Sequence, residues 1–267
     1  MTLHENIRQG LLSGLNAQSA DPAGQLNGSL RLLAKWRSVL IQNTVIKHEG
    51  TRVLQGPLAG LDFIEQSAEG CHIAKLLGTY EQPLHPFIDE AMRAPYEVVL
   101  NIGCAEGYYA VGWARRMPSA EIYAFDLNPV AQQTCKALAE KNNVAKQIQI
   151  GALFKPEDFS QFENRKVLVL CDIEGAELDL LDPETSPSLA GMDLIVEAHD
   201  CLVPNASKVL KERFAATHEI TQVNDNGQRS LENPPPWFYS LAHLDQLIAT
   251  WEWRSGPTPW LVMRAKV

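Results

Sequence analysis

The sequence predicts an α/β fold built on a seven-stranded, mostly parallel sheet, with an N-terminal helical and hairpin extension. Three observations indicate this fold. Short apolar runs of strand length alternate with segments of helical pattern over most of the chain, which is typical of parallel sheets. A glycine-bearing turn follows the first of the central runs and opens a helix. An acid, Asp126, then directly follows the second run.

The extension is expected to cover residues 1–90, and the sheet domain residues 91–267. Within the extension a helix is expected from Ser29, a favourable N-cap residue. Its apolar face packs on the sheet or, as an alternative, serves as a lid or as the interface of a homodimer. A short hairpin is expected over residues 53–64.

Glu81 precedes a predicted helix over residues 86–92. A negative charge at the start of a helix is favoured by the helix dipole, which is one interpretation of this residue. The other interpretation is a contact with a cofactor or with the entrance of a substrate site. Both remain open at this point.

The elements of the sheet domain follow from apolar runs and from helix start and stop signals. The predicted strands cover residues 98–100, 122–125, 147–150, 167–171, 194–196, 218–223 and 260–263. The predicted helices cover residues 108–116, 130–142, a short segment ending at 181, 205–214 and 240–251. Asn205 is expected to cap the fourth of these helices.

The turn after the first of these strands has the chemistry of a ligand site. Its glycines let the backbone approach a ligand closely, and the helix that follows offers free N–H groups. Asp126 can accept both hydroxyls of a ribose. A dinucleotide fingerprint does not fit, because G-x-G-x-x-G aligned on Gly103 places Ala105 and Tyr108 at the second and third glycines. The simpler alternative is a strand–helix–strand unit without a cofactor.

The spacing Asn101-x-Gly103-x-Ala105-x-Gly107 resembles motif I of the class I S-adenosylmethionine (SAM) methyltransferases. The first position of that motif is usually acidic, so Asn101 departs from it. The resemblance implies a Rossmann-like fold, with SAM as the cofactor and with adenine held between Leu153 and Phe154, which could equally belong to the core. The expected cofactor-binding residues are Glu81, Asn101, Gly103, Ala105, Gly107, Asp126, Leu127, Leu153, Phe154 and Asp172.

A second group of polar residues lies at the ends of the predicted fourth and fifth strands. Asp172 and Glu174 are two residues apart, so they face the same way if the strand geometry continues. Glu197 and His199 are related in the same manner. If the two strands are neighbours, the four side chains meet beside the glycine turn. A plain core has no need of them, since unpaired buried carboxylates are costly.

Residues 171–181 (CDIEGAELDLL) and 195–199 (IVEAH) resemble the FkbM-type methyltransferase family, and residues 78–81 and 101–103 fall in the same order. The resemblance extends over about residues 53–200. It implies O-methylation of a hydroxyl group on a small molecule or a sugar. The alternatives are N-methylation of a protein or of a small-molecule amine, and a SAM-binding module without catalysis.

The candidate catalytic residues are His199, Asp172 and Glu197. His199 is the first candidate for a general base, because its unperturbed pKa lies near neutrality, and Asp172 is the second. A divalent metal held by Asp172 and Glu197, with Glu174 or His199, would instead lower the pKa of the acceptor hydroxyl. Carboxylate ligands favour Mg²⁺ or Ca²⁺, and a histidine ligand favours a transition metal.

Simple structural roles are the alternative for these residues. His199 could be a satisfied histidine at a strand end, and the carboxylates could bond to loop amides. Glu177 is interpreted only as a charge in the first turn of a helix. Asp200 is either a partner of His199 or a cap of its loop.

The composition narrows the class of partner. A net charge of −9 argues against nucleic acid, since phosphate binding needs a basic face. The five cysteines are scattered without a C-x-x-C pair, which favours a reducing compartment. Neither a signal peptide nor a membrane-spanning run is recognised. We therefore expect a cytoplasmic protein that acts on a small-molecule or sugar substrate, without a membrane partner.

Overall fold

A seven-stranded sheet forms the centre of the computed structural model, which describes residues 1–18, 20–65, 71–254 and 256–266. The strands are β1 (Val98–Ile102), β2 (Glu121–Phe125), β3 (Ile148–Gly151), β4 (Val167–Cys171), β5 (Asp193–Glu197), β6 (His218–Val223) and β7 (Trp260–Ala265). Strands β1 to β5 pair in parallel, and β7 runs antiparallel between β5 and β6. The predicted α/β fold with a seven-stranded, mostly parallel sheet is therefore confirmed.

The strand order is β3-β2-β1-β4-β5-β7-β6. The chain moves outwards from β1 through β2 to β3 and then crosses back to β4, so the order reverses between β1 and β4. In open α/β sheets, ligands bind beyond the carboxyl ends of the strands at such a switch point. Every residue of β1 and β4 is buried, because the layers on both faces cover them.

Helices surround the sheet. The α-helices of the described residues are α1 (Leu3–Asn16), α2 (Pro22–Glu49), α3 (His72–Leu77), α4 (His85–Ala91), α5 (Tyr108–Arg116), α6 (Pro129–Lys141), α7 (Glu177–Leu180), α8 (Ala206–Phe214) and α9 (His243–Ala249). The last predicted helix, over residues 240–251, is shorter than expected because residues 236–240 form a separate 3₁₀ turn that begins at a proline.

The long helix α2 corrects one prediction. It begins at Pro22, and the Asp21 carboxylate accepts the backbone N–H of Gly24 at 2.9 Å. Ser29 is therefore wrong as an N-cap; it lies inside the helix and its hydroxyl donates to the carbonyl of Gln25 at 2.9 Å. An aspartate followed by proline at the first helical position is a strong helix start, and it overrides the later signal.

The main contacts of α2 are with other helices, namely α1, α3 and α9. The homodimer through this helix stays a prediction. The expected hairpin is present as a tight turn with one antiparallel bridge, Arg52 to Asp62, and a bond from the N–H of Val53 to the carbonyl of Leu61 at 2.9 Å.

Two apolar clusters pack on the two faces of the sheet. One contains Val99 and Leu168, and the other contains Leu100 and Val169, as the alternation along a strand requires. Leu61 and other residues of the N-terminal segment join the first cluster. The extension therefore shares its core with the sheet, and the boundary at residue 90 stays a prediction. Among the described residues no helix is both long and apolar enough to cross a membrane.

Candidate active site

The glycine turn after β1 is held against the tip of β4. Gly103 has a φ of +80°, and a Cβ atom built there would overlap the carbonyl oxygen of Asp172. Ala105, two residues on, is also left-handed, with a φ of +44°. A non-glycine residue in this region carries backbone strain. The turn is therefore a constrained structure that lies directly beside Asp172.

Asp126 fastens this turn to the tip of β2. One carboxylate oxygen accepts the N–H of Ala105 at 2.8 Å, and the other accepts the N–H of Asn128 at 2.8 Å. Each carboxylate oxygen can accept more than one hydrogen bond. Asp126 can therefore order the turn and still offer both oxygens to a ligand.

A cavity of about 530 Å³ opens at the carboxyl ends of β1, β2, β3 and β4. This volume lies in the range of small-molecule and cofactor sites. Seven of the predicted cofactor residues line it, namely Gly103, Ala105, Asp126, Leu127, Leu153, Phe154 and Asp172. Leu153 is exposed, whereas Phe154 is buried against Phe125 and Phe159, with both ring centroids 4.8 Å away. Leu153 is thus the residue with a free apolar face, and Phe154 supports the wall from the core.

The other three predicted cofactor residues, Glu81, Asn101 and Gly107, lie outside the lining. Asn101 is buried within β1. Gly107 has a φ of +89°, and a Cβ there would overlap the sulfur of Cys135. This glycine therefore lets α5 pack against α6. Glu81 is buried and forms an ion pair with Arg254 at 3.2 Å.

The tips of β4 and β5 bring three of the four predicted polar groups together. His199 Nε2 lies 3.6 Å from Asp172 Oδ1 and 3.5 Å from Glu174 Oε2. One candidate ligand atom from each of the three residues lies within 4.8 Å of the others. The imidazole is buried, Asp172 is partly exposed, and the Glu174 side chain is 77% exposed. The group therefore runs from the protein interior to its surface.

Glu197 is not one of the three candidate ligands, and it pairs with an arginine instead. Its carboxylate accepts a hydrogen bond from the guanidinium of Arg254, which also pairs with Glu81 and with Glu252 at 3.2 Å each. Arg254 stands in the segment before β7, and Arg229, which also bonds Glu252, stands in the loop after β6. No spacing signal points to either arginine, because most of their contacts join distant parts of the chain.

Glu177 is the residue beside His199 whose placement the sequence interpretation missed. Glu177 does lie in the first turn of α7, but its side chain is completely buried and bonds to His199, so the interpretation as a first-turn charge and nothing more is wrong. Oε1 accepts the Nδ1 proton of His199 at 2.8 Å, and it also accepts the N–H groups of Gly175 at 3.1 Å and Ile173 at 3.3 Å. A carboxylate directly after a Gly-Ala pair, in the loop between β4 and α7, was the available signal.

Asp200 caps a helix and does not bond to His199. Its carboxylate accepts the N–H and the hydroxyl of Ser207, at 2.8 and 2.6 Å. Asn205 precedes α8 with a φ of +67° and makes no capping bond with its side chain. Asn205 therefore occupies the N-cap position of α8 as expected, but the side chain that accepts the N–H group of Ser207 is that of Asp200.

Burial and like charge govern the protonation of the site. Burial, followed by the nearby carboxylates of Glu197 and Glu81, raises the pKa of Asp172 well above its usual range. Burial and Glu197 likewise raise the pKa of Glu81 to about 8. Burial alone would lower the pKa of His199, but the bond to Glu177 and the surrounding carboxylates raise it above its ordinary value. The site is thus short of positive charge.

The group formed by Asp172, Glu174 and His199 fits a divalent cation. Two carboxylates and an imidazole nitrogen are common ligands. The buried Oδ1 atom of Asp172 has no hydrogen-bond partner among the described residues. Such an orphan acceptor is costly unless a proton or a cation meets it.

No family model matches the chain. The release factor glutamine methyltransferase of Geobacter sulfurreducens is 26% identical over 129 residues, which is 46% of this chain and 45% of that protein. The chain thus spans less than half the length of this curated relative.

Two solved structures resemble the chain at low identity. The O-methyltransferase TomG from Streptomyces achromogenes, involved in tomaymycin synthesis and solved in complex with SAM, is 12% identical with a TM-score of 0.46, covering 72% of this chain and 82% of TomG. The precorrin-6Y C5,15-methyltransferase from Geobacter metallireducens is 14% identical with a TM-score of 0.43, covering 66% of this chain and 85% of that protein. At such identities the likeness concerns the fold alone.

Proposed function

We propose that the chain is a SAM-dependent methyltransferase that transfers a methyl group to a hydroxyl of a small molecule or a sugar. One observation carries the proposal. The cavity that begins at Gly103 and Asp126 also reaches Asp172 and Glu174. A cofactor cradle and groups that can activate an acceptor therefore share one space. The resemblance of residues 171–181 to the FkbM-type family supports the same class.

The cofactor end of the cavity is assigned to the turn and the tip of β2. SAM supplies a methyl group activated on a sulfonium. The oxygens of Asp126 suit the two ribose hydroxyls, and the exposed face of Leu153 suits an adenine ring. Gly103 and Ala105 keep the backbone open to the ligand at the turn. Each of these residues lines the cavity.

The acceptor end is assigned to Asp172, Glu174 and His199. Methyl transfer to oxygen requires alignment of the acceptor and loss of one proton. The three residues would hold a divalent cation, which would lower the pKa of the acceptor hydroxyl. Glu197 pairs with Arg254 and raises the pKa of Asp172, so we assign it an electrostatic role rather than that of a ligand. His199 acting directly as the base is the second candidate, because Glu177 binds Nδ1 and leaves Nε2 towards the carboxylates.

The experiment is an acceptor survey with purified protein. S-adenosylhomocysteine release is measured with panels of hydroxyl compounds, sugars and amines, with Mn²⁺ or Mg²⁺ and with a strong chelator. The proposal expects turnover with a hydroxyl compound and its loss on chelation. Turnover that resists chelation but falls with His199→Gln would favour the base role. SAM binding without turnover on any acceptor would contradict a catalytic function.

N-methylation is a second candidate function, and the name of the curated relative, a release factor glutamine methyltransferase, favours it. The same survey separates the two functions, because amine or peptide acceptors would then give the product. Turnover confined to hydroxyl acceptors would exclude this candidate.

A further inference from the structure

We propose that Glu177 is a positioning residue, which fixes the ring of His199 with the proton on Nδ1 so that Nε2 faces Asp172 and Glu174. The inference rests on the proposed role of these three residues in methyl transfer. Glu177 is the first residue of α7, and its carboxylate is completely buried.

The hydrogen bonds of Glu177 determine which ring nitrogen carries the proton. Its Oε1 atom accepts the N–H groups of Ile173 and Gly175, so this oxygen is an acceptor. His199 Nδ1 lies 2.8 Å from the same atom and must therefore donate to it. In the neutral ring Nε2 then presents a lone pair, 3.6 Å from Asp172 Oδ1 and 3.5 Å from Glu174 Oε2.

The same oxygen also shapes the loop that carries Glu174. Glu174 and Gly175 have φ values of +53° and +102°, and a left-handed conformation is strained for glutamate. The bonds from the N–H groups of Ile173 and Gly175 to Glu177 hold this loop in place. Glu177 therefore orders both the imidazole and the carboxylate that faces it.

The arrangement follows a general rule for histidines that bind cations. A carboxylate on one ring nitrogen sets the tautomer and the orientation, and it raises the basicity of the other nitrogen. Loss of such a partner typically weakens metal binding or activity about 10- to 100-fold. Burial alone would raise the pKa of Glu177, but the bonds from His199 and Gly175 lower it below its ordinary value, in keeping with a charged partner.

The first test is the tautomer of His199 in the intact, metal-free protein. Nitrogen NMR of ¹⁵N-histidine-labelled protein is recorded at a pH where the ring is neutral, and the His199 signal is assigned by its loss in His199→Gln. The expected result is a proton on Nδ1. A proton on Nε2 would overturn the proposal. This readout needs neither SAM nor turnover, and it does not depend on any variant of Glu177.

The second test compares Glu177→Ala and Glu177→Gln with the surface control Glu184→Gln. The Ala variant is expected to lose the fixed tautomer and to bind Mn²⁺ about 10- to 100-fold more weakly. The Gln variant keeps an oxygen acceptor and is expected to retain the tautomer with a smaller loss of affinity. Unchanged Mn²⁺ affinity in both variants would overturn the proposal.

The two proposals fail separately. A proton on Nδ1, in a protein that shows no methyl transfer, would contradict the proposed function and leave the positioning role of Glu177 standing. Methyl transfer by a protein with the proton on Nε2 would support the proposed function and contradict the positioning role of Glu177.

Discussion

Gly103 has no room for a side chain, because the carbonyl oxygen of Asp172 lies against it. Replacement by Ala adds a methyl group that overlaps the carbonyl oxygen of Asp172, at a left-handed φ. We expect Gly103→Ala to lower the free energy of unfolding by at least about 2 kcal/mol and to weaken SAM binding. Urea denaturation and calorimetry measure the two effects.

Gly191→Ala is the matched control, because a Cβ there meets no atom within 4 Å. Its free energy of unfolding should change by less than about 1 kcal/mol. Equal losses in the free energy of unfolding for Gly103→Ala and Gly191→Ala would contradict the close contact between Gly103 and Asp172.

Glu174 allows a test of the proposed cation site without a change in stability. Its side chain is 77% exposed, so Glu174→Gln should alter the free energy of unfolding by no more than about 0.5 kcal/mol. Because a charged ligand is lost, Mn²⁺ affinity should fall about tenfold or more. Titration of Mn²⁺ monitored by electron paramagnetic resonance measures this change. Affinity equal to that of Glu184→Gln would count against the site.

At the scale of elements, an ion pair joins α2 to α9. Arg37 donates two hydrogen bonds to Asp245, at 2.6 and 2.5 Å, and the bond from Arg37 lowers the pKa of Asp245. A lowered folded-state pKa stabilises the fold above the unfolded value, about 3.9, and this stabilisation disappears as the pH falls through the folded value.

We therefore expect Asp245→Asn to cost about 1 kcal/mol at neutral pH and progressively less below about pH 4. Urea unfolding of the variant and the wild type across this pH range measures the difference. A difference independent of pH would show that the charge of Asp245 does not carry the contact.

Elements with strong local signals were predictable from the sequence. The bounds of β4 and α5 agree with the expectation residue by residue, because an apolar run marks β4 and a following proline marks the end of α5. The start of α2 lies seven residues before the expected Ser29, because a pair such as Asp21-Pro22 suits a turn as well as the start of a helix.

The site was predictable only in part, because only some of its residues are placed by local sequence signals. Asp172, Glu174 and His199 follow strand ends, where parallel topology fixes their meeting place. Glu177 and Arg254 act through tertiary contacts. The buried side chain of Glu177 lies at the start of the four-residue helix α7. Arg254, in the C-terminal segment, pairs with Glu81, which is 173 residues earlier in the chain. Neither contact follows from local spacing.

At the scale of the whole molecule, Arg254 links distant parts of the chain. It pairs with Glu81 before α4, Glu197 at the tip of β5, and Asp225 and Glu252 near the C-terminal strands. Its removal leaves several carboxylates short of their cation in a buried region.

We expect Arg254→Met to lower the free energy of unfolding by about 3–5 kcal/mol, the usual effect of breaking a buried pair. Arg264→Met, which breaks an exposed pair with Glu90, should change it by no more than about 1 kcal/mol. Thermal or urea unfolding compares the two variants. Similar losses in both would contradict a central role for Arg254.

Calorimetric titration of SAM into the wild type, Asp126→Ala and Asp179→Asn tests whether the cavity holds SAM with its ribose on Asp126. Asp126 and Asp179 both line the cavity, and of the two only Asp126 bonds to the turn. We expect SAM to bind the wild type and Asp179→Asn alike, and to bind Asp126→Ala at least about tenfold more weakly, as the loss of charge-assisted bonds predicts. Failure of SAM to bind the wild type at saturating concentration, or undiminished binding by Asp126→Ala, would contradict the proposed SAM site in this cavity.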